Sequence, residues 1–230
     1  MFETRSGPRP RVLVGLVAAG AVLITLLLAL LRGIAYRATV SWSQGLPSWL
    51  QSVVEGVSDY GVYVLAALFL VAALVARRRG LTHLARGVAA GVGVVAAYLA
   101  SELFKSVVTE QRPCRHFSVD TIATCPAPTD WAWPSNHTTV AVAIAVAVLA
   151  MSVRLGLAAL PLAGLIGLSR VVLGVHYFHD VASGVILGTA MVIIFARWGT
   201  PWIARWLEYA RRVPVLDALL TKGTSQERSG

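Results

Sequence analysis

The sequence predicts an all-α integral membrane protein: a bundle of six transmembrane helices followed by an amphipathic C-terminal helix. Three observations carry that prediction. The chain of 230 residues is 57% hydrophobic and only 13% charged, more apolar side chain than a soluble fold of this size can cover. Its apolar residues fall in charge-poor blocks of the length needed to cross a ~30 Å hydrocarbon layer, roughly 20 residues, or somewhat fewer where neighbouring helices shield polar ends. Its arginines collect in alternate connections between those blocks, the bias that marks short cytoplasmic loops.

The six blocks are Val12 to Leu31, Tyr60 to Ala76, Leu84 to Leu103, Thr138 to Val153, Leu155 to Ser169 and Val181 to Ala196. The first follows Arg9-Pro10-Arg11 and shares a basic flank with signal peptides. Its apolar core is long for a signal, and residues 30–40 show no small-residue cleavage pattern, so it reads as an anchor. With residues 1–11 on the cytoplasmic side, Arg5, Arg9, Arg11, Arg77, Arg78, Arg79, Arg86, Arg154, Arg197, Arg205, Arg211 and Arg212 all fall inside. Both termini are then cytoplasmic, as expected for a protein of the plasma (inner) membrane. The formal net charge of +9 is mainly this orientation signal, and the partner it implies is the lipid bilayer, not nucleic acid.

Residues 12–197 make one membrane domain, with neither an internal repeat nor a second domain. Residues 32–59, with Trp42, Trp49 and a Gly45-Leu46-Pro47 turn, are expected as an outer loop lying on the bilayer. Trp198, Trp202 and Trp206 recur every four residues among Arg197, Arg205, Arg211 and Arg212. That pattern assigns 198–220 to an interfacial helix with tryptophan anchors and arginines facing anionic lipid. The polar tail 221–230 reads as disordered.

Cys114 and Cys125, the only cysteines, lie in the outer connection before the fourth block. On the oxidising side of a membrane they are expected to form a disulfide worth about 3 kcal/mol by loop closure. Two free thiols are the alternative. Two cysteines eleven apart with only His116 nearby make a poor zinc site, so no metal is expected there.

Lys105, Arg112, Arg115 and Arg170 stand on the outer side against the charge bias, and three polar stretches contain most of them. In "KSVVTEQRP", Lys105 and Arg112 are seven residues apart, two helical turns that put both cations on one face, and Pro113 ends the helix. "PSNH", Pro134 to His137, opens the fourth block. "SRVVLGVHYFHD" closes the fifth block with Ser169 and Arg170 and sets His176 and Asp180 one turn apart at the mouth of the sixth. The topology brings all three stretches to one membrane face. Three cations gathered there call for a multiply charged anion, and the planar fork of arginine suits phosphate. The amides of Ser135, Asn136 and His137 at a helix start add donors and the positive end of a dipole.

In order and spacing these stretches resemble the three-part signature of the type 2 phosphatidic acid phosphatase superfamily. The signature is Lys, six residues, Arg-Pro; then Pro-Ser-Gly-His; then Ser-Arg, five residues, His, three residues, Asp. One position departs, with Asn136 where the family has glycine. Asn tolerates left-handed backbone better than other non-glycine residues, so the turn is expected to survive, and the fit of the phosphate pocket is what the change touches.

The resemblance implies metal-independent, cofactor-free phosphoryl transfer through a phosphohistidine. His176 is then the nucleophile, oriented by Asp180, and His137 the general acid and base. Lys105, Arg112, Ser135, Asn136, Ser169 and Arg170 bind the phosphoryl oxygens. The residue chemistry agrees, because an attacking imidazole needs one nitrogen neutral and the other held. The implied substrate is a membrane lipid phosphate or diphosphate met at the extracytoplasmic surface. A polyprenyl diphosphate is favoured over phosphatidic acid and phosphatidylglycerol phosphate.

A phosphotransferase using the same residues is one rival. A vanadate-dependent haloperoxidase shares the motifs, but those proteins resemble soluble ones. A binding scaffold is the non-enzyme alternative, and it has no need of His137, His176 and Asp180 together. Outside the motifs, Glu102 is expected to pair with Lys105, one turn away, and His179 to be a solvated interface residue. His83 and His116 read as ordinary surface residues. Arg115, Asp130, Trp131 and Trp133 are expected to line an entrance from the lipid.

Overall fold

A computed structural model describes residues 10–213. Residues 1–9 of the N-terminal segment, 214–220 of the expected interfacial helix and the 221–230 tail lie outside the described residues. Eight helices follow in order: α1 Pro10–Leu30, α2 Arg32–Gln44, α3 Ser48–Arg78, α4 Leu81–Val108, α5 Pro113–His116, α6 Asn136–Met151, α7 Val153–Val172 and α8 Phe178–Ala210. Among the described residues there is no strand.

Among the described residues, five stretches are long and apolar enough to cross a membrane: Val12–Leu30, Ser48–Arg78, Leu81–His116, Val153–Val172 and Phe178–Ala210. The expected fourth span is α6, which has only 16 residues. At 1.5 Å per residue it is about 24 Å long, less than the hydrocarbon layer. It can be short because it is the inner helix of the bundle, with α3, α4, α7 and α8 all packed on it. Ala141, Ala143, Ala145, Ala147 and Val148 are fully buried, and they join Leu65 of α3 and Ile166 of α7 in the apolar core. α1 lies at the other extreme, its leucines and valines largely exposed and its main contacts made with α8 and, less extensively, α2.

Two boundaries differ from the sequence reading. Residues 32–59 are not a loop: α2 occupies Arg32–Gln44, and α3 begins at Ser48, twelve residues before the apolar block. α2 packs Tyr36 and Val40 against Tyr177 and Phe117, and the Tyr36 hydroxyl donates to Gly174 O at 3.0 Å. The stretch with Trp198, Trp202 and Trp206 is not a separate helix either. It continues α8, which runs 33 residues through Pro201 to Ala210, with all three indoles exposed.

Small residues bring α6 and α8 together. A Cβ on Gly188 would lie 2.5 Å from Thr139 O, and one on Gly184 would lie 3.0 Å from Ser135 O. These two backbones therefore touch without intervening side chains.

Candidate active site

The C-terminal ends of α4 and α7 and the N-terminal ends of α6 and α8 meet at one end of the bundle, with the 109–135 connection folded across them. Three contacts tie this end together: Ala132 N to Glu110 O at 2.8 Å, Ser135 N to Asp180 O at 3.1 Å and Ala123 N to Leu173 O at 3.4 Å. Cys114 and Cys125 are disulfide-bonded within that connection, as the sequence reading expected.

His176 lies in the turn between α7 and α8 and is 1% exposed. Its Nδ1 is 3.0 Å from Asp180 Oδ2, and the same carboxylate oxygen accepts the Tyr177 amide at 2.9 Å. A carboxylate on Nδ1 fixes the proton there and leaves a lone pair on Nε2. Arg112 Nη1 faces that nitrogen at 2.9 Å while also donating to Val175 O at 3.0 Å. Burial, and then the charges of Arg112, Arg170 and Lys105, hold His176 well below its ordinary value, so the imidazole is neutral.

Arg112 does not share a helical face with Lys105 and Pro113 does not end that helix, contrary to what the spacing predicts: α4 stops at Val108 with Thr109 in the left-handed region, and Arg112 is the extended N-cap residue of α5, with Pro113 at its first position. Lys105 projects from the last turn of α4, buried like Arg112. Arg170, near the end of α7, donates to Ser58 Oγ of α3 at 2.7 Å, and its Nε is buried with no hydrogen-bond partner. Lys105, Arg112 and Arg170 all act electrostatically on both His176 and His137. The His137 side chain, in the first turn of α6, is half-buried. Ser135 is fully buried, and its Oγ accepts from Thr138 at 3.1 Å, while Ser169 Oγ donates to Ile166 O at 2.7 Å.

Asn136 begins α6 in helical backbone, and it is not among the positive-φ residues, which are Thr109, Ser118, Gly80 and Gly174. The position does not need glycine for its backbone. The side chain reaches α4 instead: Ser101 Oγ donates to its Oδ1 at 2.5 Å, and its amide donates to Glu102. Glu102 is thus engaged with Asn136. It still acts on Lys105 through charge, as expected, but the direct ion pair is made by Asp130, whose Oδ1 is 3.2 Å from Lys105 Nζ and 2.9 Å from Arg112 Nη2. Burial by itself would raise Asp130. The hydrogen bond and charge of Arg112, followed by Lys105, outweigh it and hold the carboxyl below its ordinary value.

His179 also differs from expectation. It is 4% exposed, not solvated, and its Nε2 lies between Glu110 Oε2 at 3.1 Å and Asp180 Oδ1 at 3.2 Å. Sequence reasoning missed Ser58 and Glu110, and it gave Asp130 a place at the entrance without its pairing to Lys105 and Arg112. The acidic residue nearest the Lys105 motif in space comes from 25 positions along the chain, and no local spacing announces it.

Beside this polar end lies an apolar cavity of about 310 Å³, walled by Val22 and Leu26 of α1, Phe104 of α4, Trp133 and Ile186 of α8. The Trp133 indole donates to Ser183 Oγ at 2.7 Å, one turn along α8 from Asp180. Chemically, the site offers a neutral, oriented imidazole, a second imidazole, three cations and an adjoining apolar recess.

Residues 86–204 match the PAP2 superfamily. The chain is 28% identical over 151 residues to undecaprenyl-diphosphatase BcrC of Bacillus subtilis, covering 66% of this chain and 76% of that protein. It is 34% identical over 146 residues to decaprenylphosphoryl-5-phosphoribose phosphatase of Mycobacterium tuberculosis, covering 60% and 73%. Among solved structures, the fold is similar to a transmembrane PAP2-type phosphatidylglycerolphosphate phosphatase from Bacillus subtilis. That likeness has a TM-score of 0.58 at 20% identity, over 78% of this chain and 94% of the other.

Proposed function

The chain belongs to the PAP2 superfamily and is a membrane phosphatase, and from that premise we propose that it hydrolyses a polyprenyl-linked phosphate or diphosphate at the extracytoplasmic face. The observation that carries the reading is the neutral His176, held by Asp180 on one nitrogen and faced by Arg112 on the other. Nothing in a structural ion pair requires a second histidine and two further cations around the same imidazole.

In the proposed reaction His176 Nε2 attacks phosphorus and the bond from phosphorus to the leaving oxygen breaks. His137 gives that oxygen its proton. Lys105, Arg112 and Arg170 take the phosphoryl oxygens, with Ser135, Asn136 and Ser169 and the amides at the start of α6 around them, so that charge building in the transition state meets fixed donors. His137 then removes a proton from water, the water oxygen attacks phosphorus, the P–N bond breaks, and phosphate leaves.

Two observations support the substrate class. The named substrates of both curated relatives share a polyprenyl tail, and the apolar cavity beside Trp133 can take the first part of such a tail. The orientation rests on arginine placement: with α6 counted, six spans put Arg77, Arg78, Arg79, Arg154 and Arg197 on the cytoplasmic side and the site opposite. On that reading the end of α8 from Trp198 onward lies in the inner headgroup layer.

The test is phosphate release by detergent-purified protein from polyprenyl diphosphate, phosphatidic acid and phosphatidylglycerol phosphate, with His176→Ala alongside. The polyprenyl substrate is expected to be fastest, and the variant to lose at least about 10³-fold. Activity that persisted in His176→Ala would remove His176 as nucleophile. A preference for a glycerol lipid would correct the substrate.

A further inference from the structure

Behind Asp180 the polar contacts continue. Asp180 uses Oδ2 for His176 and the Tyr177 amide, and its other oxygen lies 3.2 Å from His179 Nε2. That same nitrogen is 3.1 Å from Glu110 Oε2, and Glu110 Oε1 accepts from Arg32 Nη1 at 2.5 Å. A continuous chain of contacts therefore runs Arg32, Glu110, His179, Asp180, His176, drawing on α2, the connection after α4, and α8. Arg32 stands outside the recognised motifs, and Glu110 and His179 occupy positions within them that the signature leaves open.

The position of the proton follows from the acceptors. An Nε2 without hydrogen would set its lone pair against two carboxylate oxygens at hydrogen-bond distance, a repulsive arrangement in a buried site. His179 Nε2 therefore carries hydrogen and donates it to Glu110, while Asp180 Oδ1, 3.2 Å away, is buried with no hydrogen-bond partner of its own and feels the same N–H only electrostatically. Its Nδ1 is buried without a hydrogen-bond partner, so the ring is held from the Nε2 side and by stacking on Tyr177, centroids 5.2 Å apart. The charged or titratable groups facing His179 are Glu110, Asp180 and Tyr177, with Arg32 behind Glu110 and over the Tyr177 ring at 5.7 Å. Tyr177, pushed up to about 12 chiefly by burial, stays neutral.

We propose that His179 and Glu110 are positioning residues for phosphoryl transfer. The His179 N–H, 3.2 Å from the otherwise unpartnered Asp180 Oδ1, attracts that oxygen, keeps Oδ2 turned towards His176 Nδ1, and so selects the His176 tautomer whose Nε2 lone pair attacks. Glu110, anchored by Arg32, holds His179 in that orientation. Neither touches the reacting atoms. This inference rests on the reading of His176 as nucleophile.

Four proteins test it: wild type, His179→Leu, His179→Gln and Glu110→Gln. His179→Leu is expected to lower kcat by about 10 to 100-fold, the usual size of such outer-shell losses, with KM within about twofold. His179→Gln retains an amide donor for Asp180 and is expected to recover at least half of that loss on a logarithmic scale. Glu110→Gln is expected to fall between wild type and His179→Leu. An independent readout is ¹⁵N NMR of histidine-labelled protein in micelles, with His176→Ala giving the assignment. Wild type is expected to show His176 as the Nδ1–H tautomer, and His179→Leu a mixture.

Wild-type kcat in His179→Leu, a loss that appears only in KM, or a Gln variant no better than Leu would overturn the proposal. So would a His176 tautomer signal unchanged by His179→Leu. If wild type releases phosphate from no lipid, the proposed function fails, and the tautomer signal still decides whether His179 sets the His176 proton.

Discussion

Arg112 Nη1 sits 2.9 Å from His176 Nε2, so the resting site holds its proposed nucleophilic nitrogen against one of the cations proposed to bind phosphate. The contact keeps the lone pair directed and the imidazole neutral. When a phosphoryl group arrives, the guanidinium has only to shift its donors from nitrogen to the incoming oxygens.

Acid should cost the protein stability through His176. Its folded value lies well below the ordinary 6.5, by burial first and by Arg112 second, so the unfolded chain binds the proton more readily. The stabilisation from this group is complete above pH 6.5 and is lost as pH falls towards the folded value, at up to about 1.4 kcal/mol per pH unit. Thermal unfolding in micelles between pH 7.5 and 5 should show the decline, and His176→Phe should flatten it. An equal slope in both proteins would place the effect elsewhere.

Asp130 bridges Lys105 and Arg112, the two cations proposed to bind phosphate, so an anion must take its place before both can close. Asp130→Asn removes the competing charge. Vanadate and phosphate are expected to inhibit the variant at about 3 to 10-fold lower concentration, equivalent to the ~1 kcal/mol of a partly exposed ion pair. Weaker inhibition would make Asp130 an organiser of the two cations.

Asn136 tethers α6 to α4 through Ser101 and Glu102. Asn136→Gly, which restores the residue of the family signature, should leave phosphatase activity within about threefold. It should lower stability by about 1 to 2 kcal/mol through lost hydrogen bonds and added backbone freedom. Unfolding midpoints and phosphate release on the same preparation check both halves.

Reduction of the Cys114–Cys125 bridge should add the mass of two hydrogens to the intact protein and destabilise it by about 2 to 4 kcal/mol. Because the bridge sits in the connection that carries Arg115 and leads to Asp130, Cys125→Ser should also raise KM more than it lowers kcat.

The sequence was most informative about which residues belong together: Lys105, Arg112, His176 and Asp180 come to the same end of the bundle. The helical spacing read for them is not the cause, because α4 ends at Val108, Arg112 caps α5 and His176 lies before α8. It was least informative where tertiary contact alone decides. Asp130 and Glu110 gain their partners through the fold of the 109–135 connection, and Ser58 reaches Arg170 across 112 positions, so no local pattern marks any of them. His179 looked solvent-facing because it sits beside a motif residue at a helix start. α2 presses Tyr36, stacked on Phe117, against Tyr177, which in turn stacks on His179, and so closes that side. The break expected after Arg197 followed a change in composition, whereas helices in membranes carry a proline such as Pro201 without ending.

The contact of α6 with α8 at Gly184 and Gly188 has a consequence for how the surrounding lipid acts on catalysis. His137 lies in the first turn of α6 and His176 two residues before α8, so both are carried by segments whose main chains abut at these glycines. Lateral pressure from the bilayer, which varies with acyl composition and temperature, bears on the exposed side chains of α1, α3 and α4 and finds no side chain to compress between α6 and α8 at Gly184 and Gly188. A change of membrane should therefore alter how often substrate arrives and leave the chemical step with the same barrier.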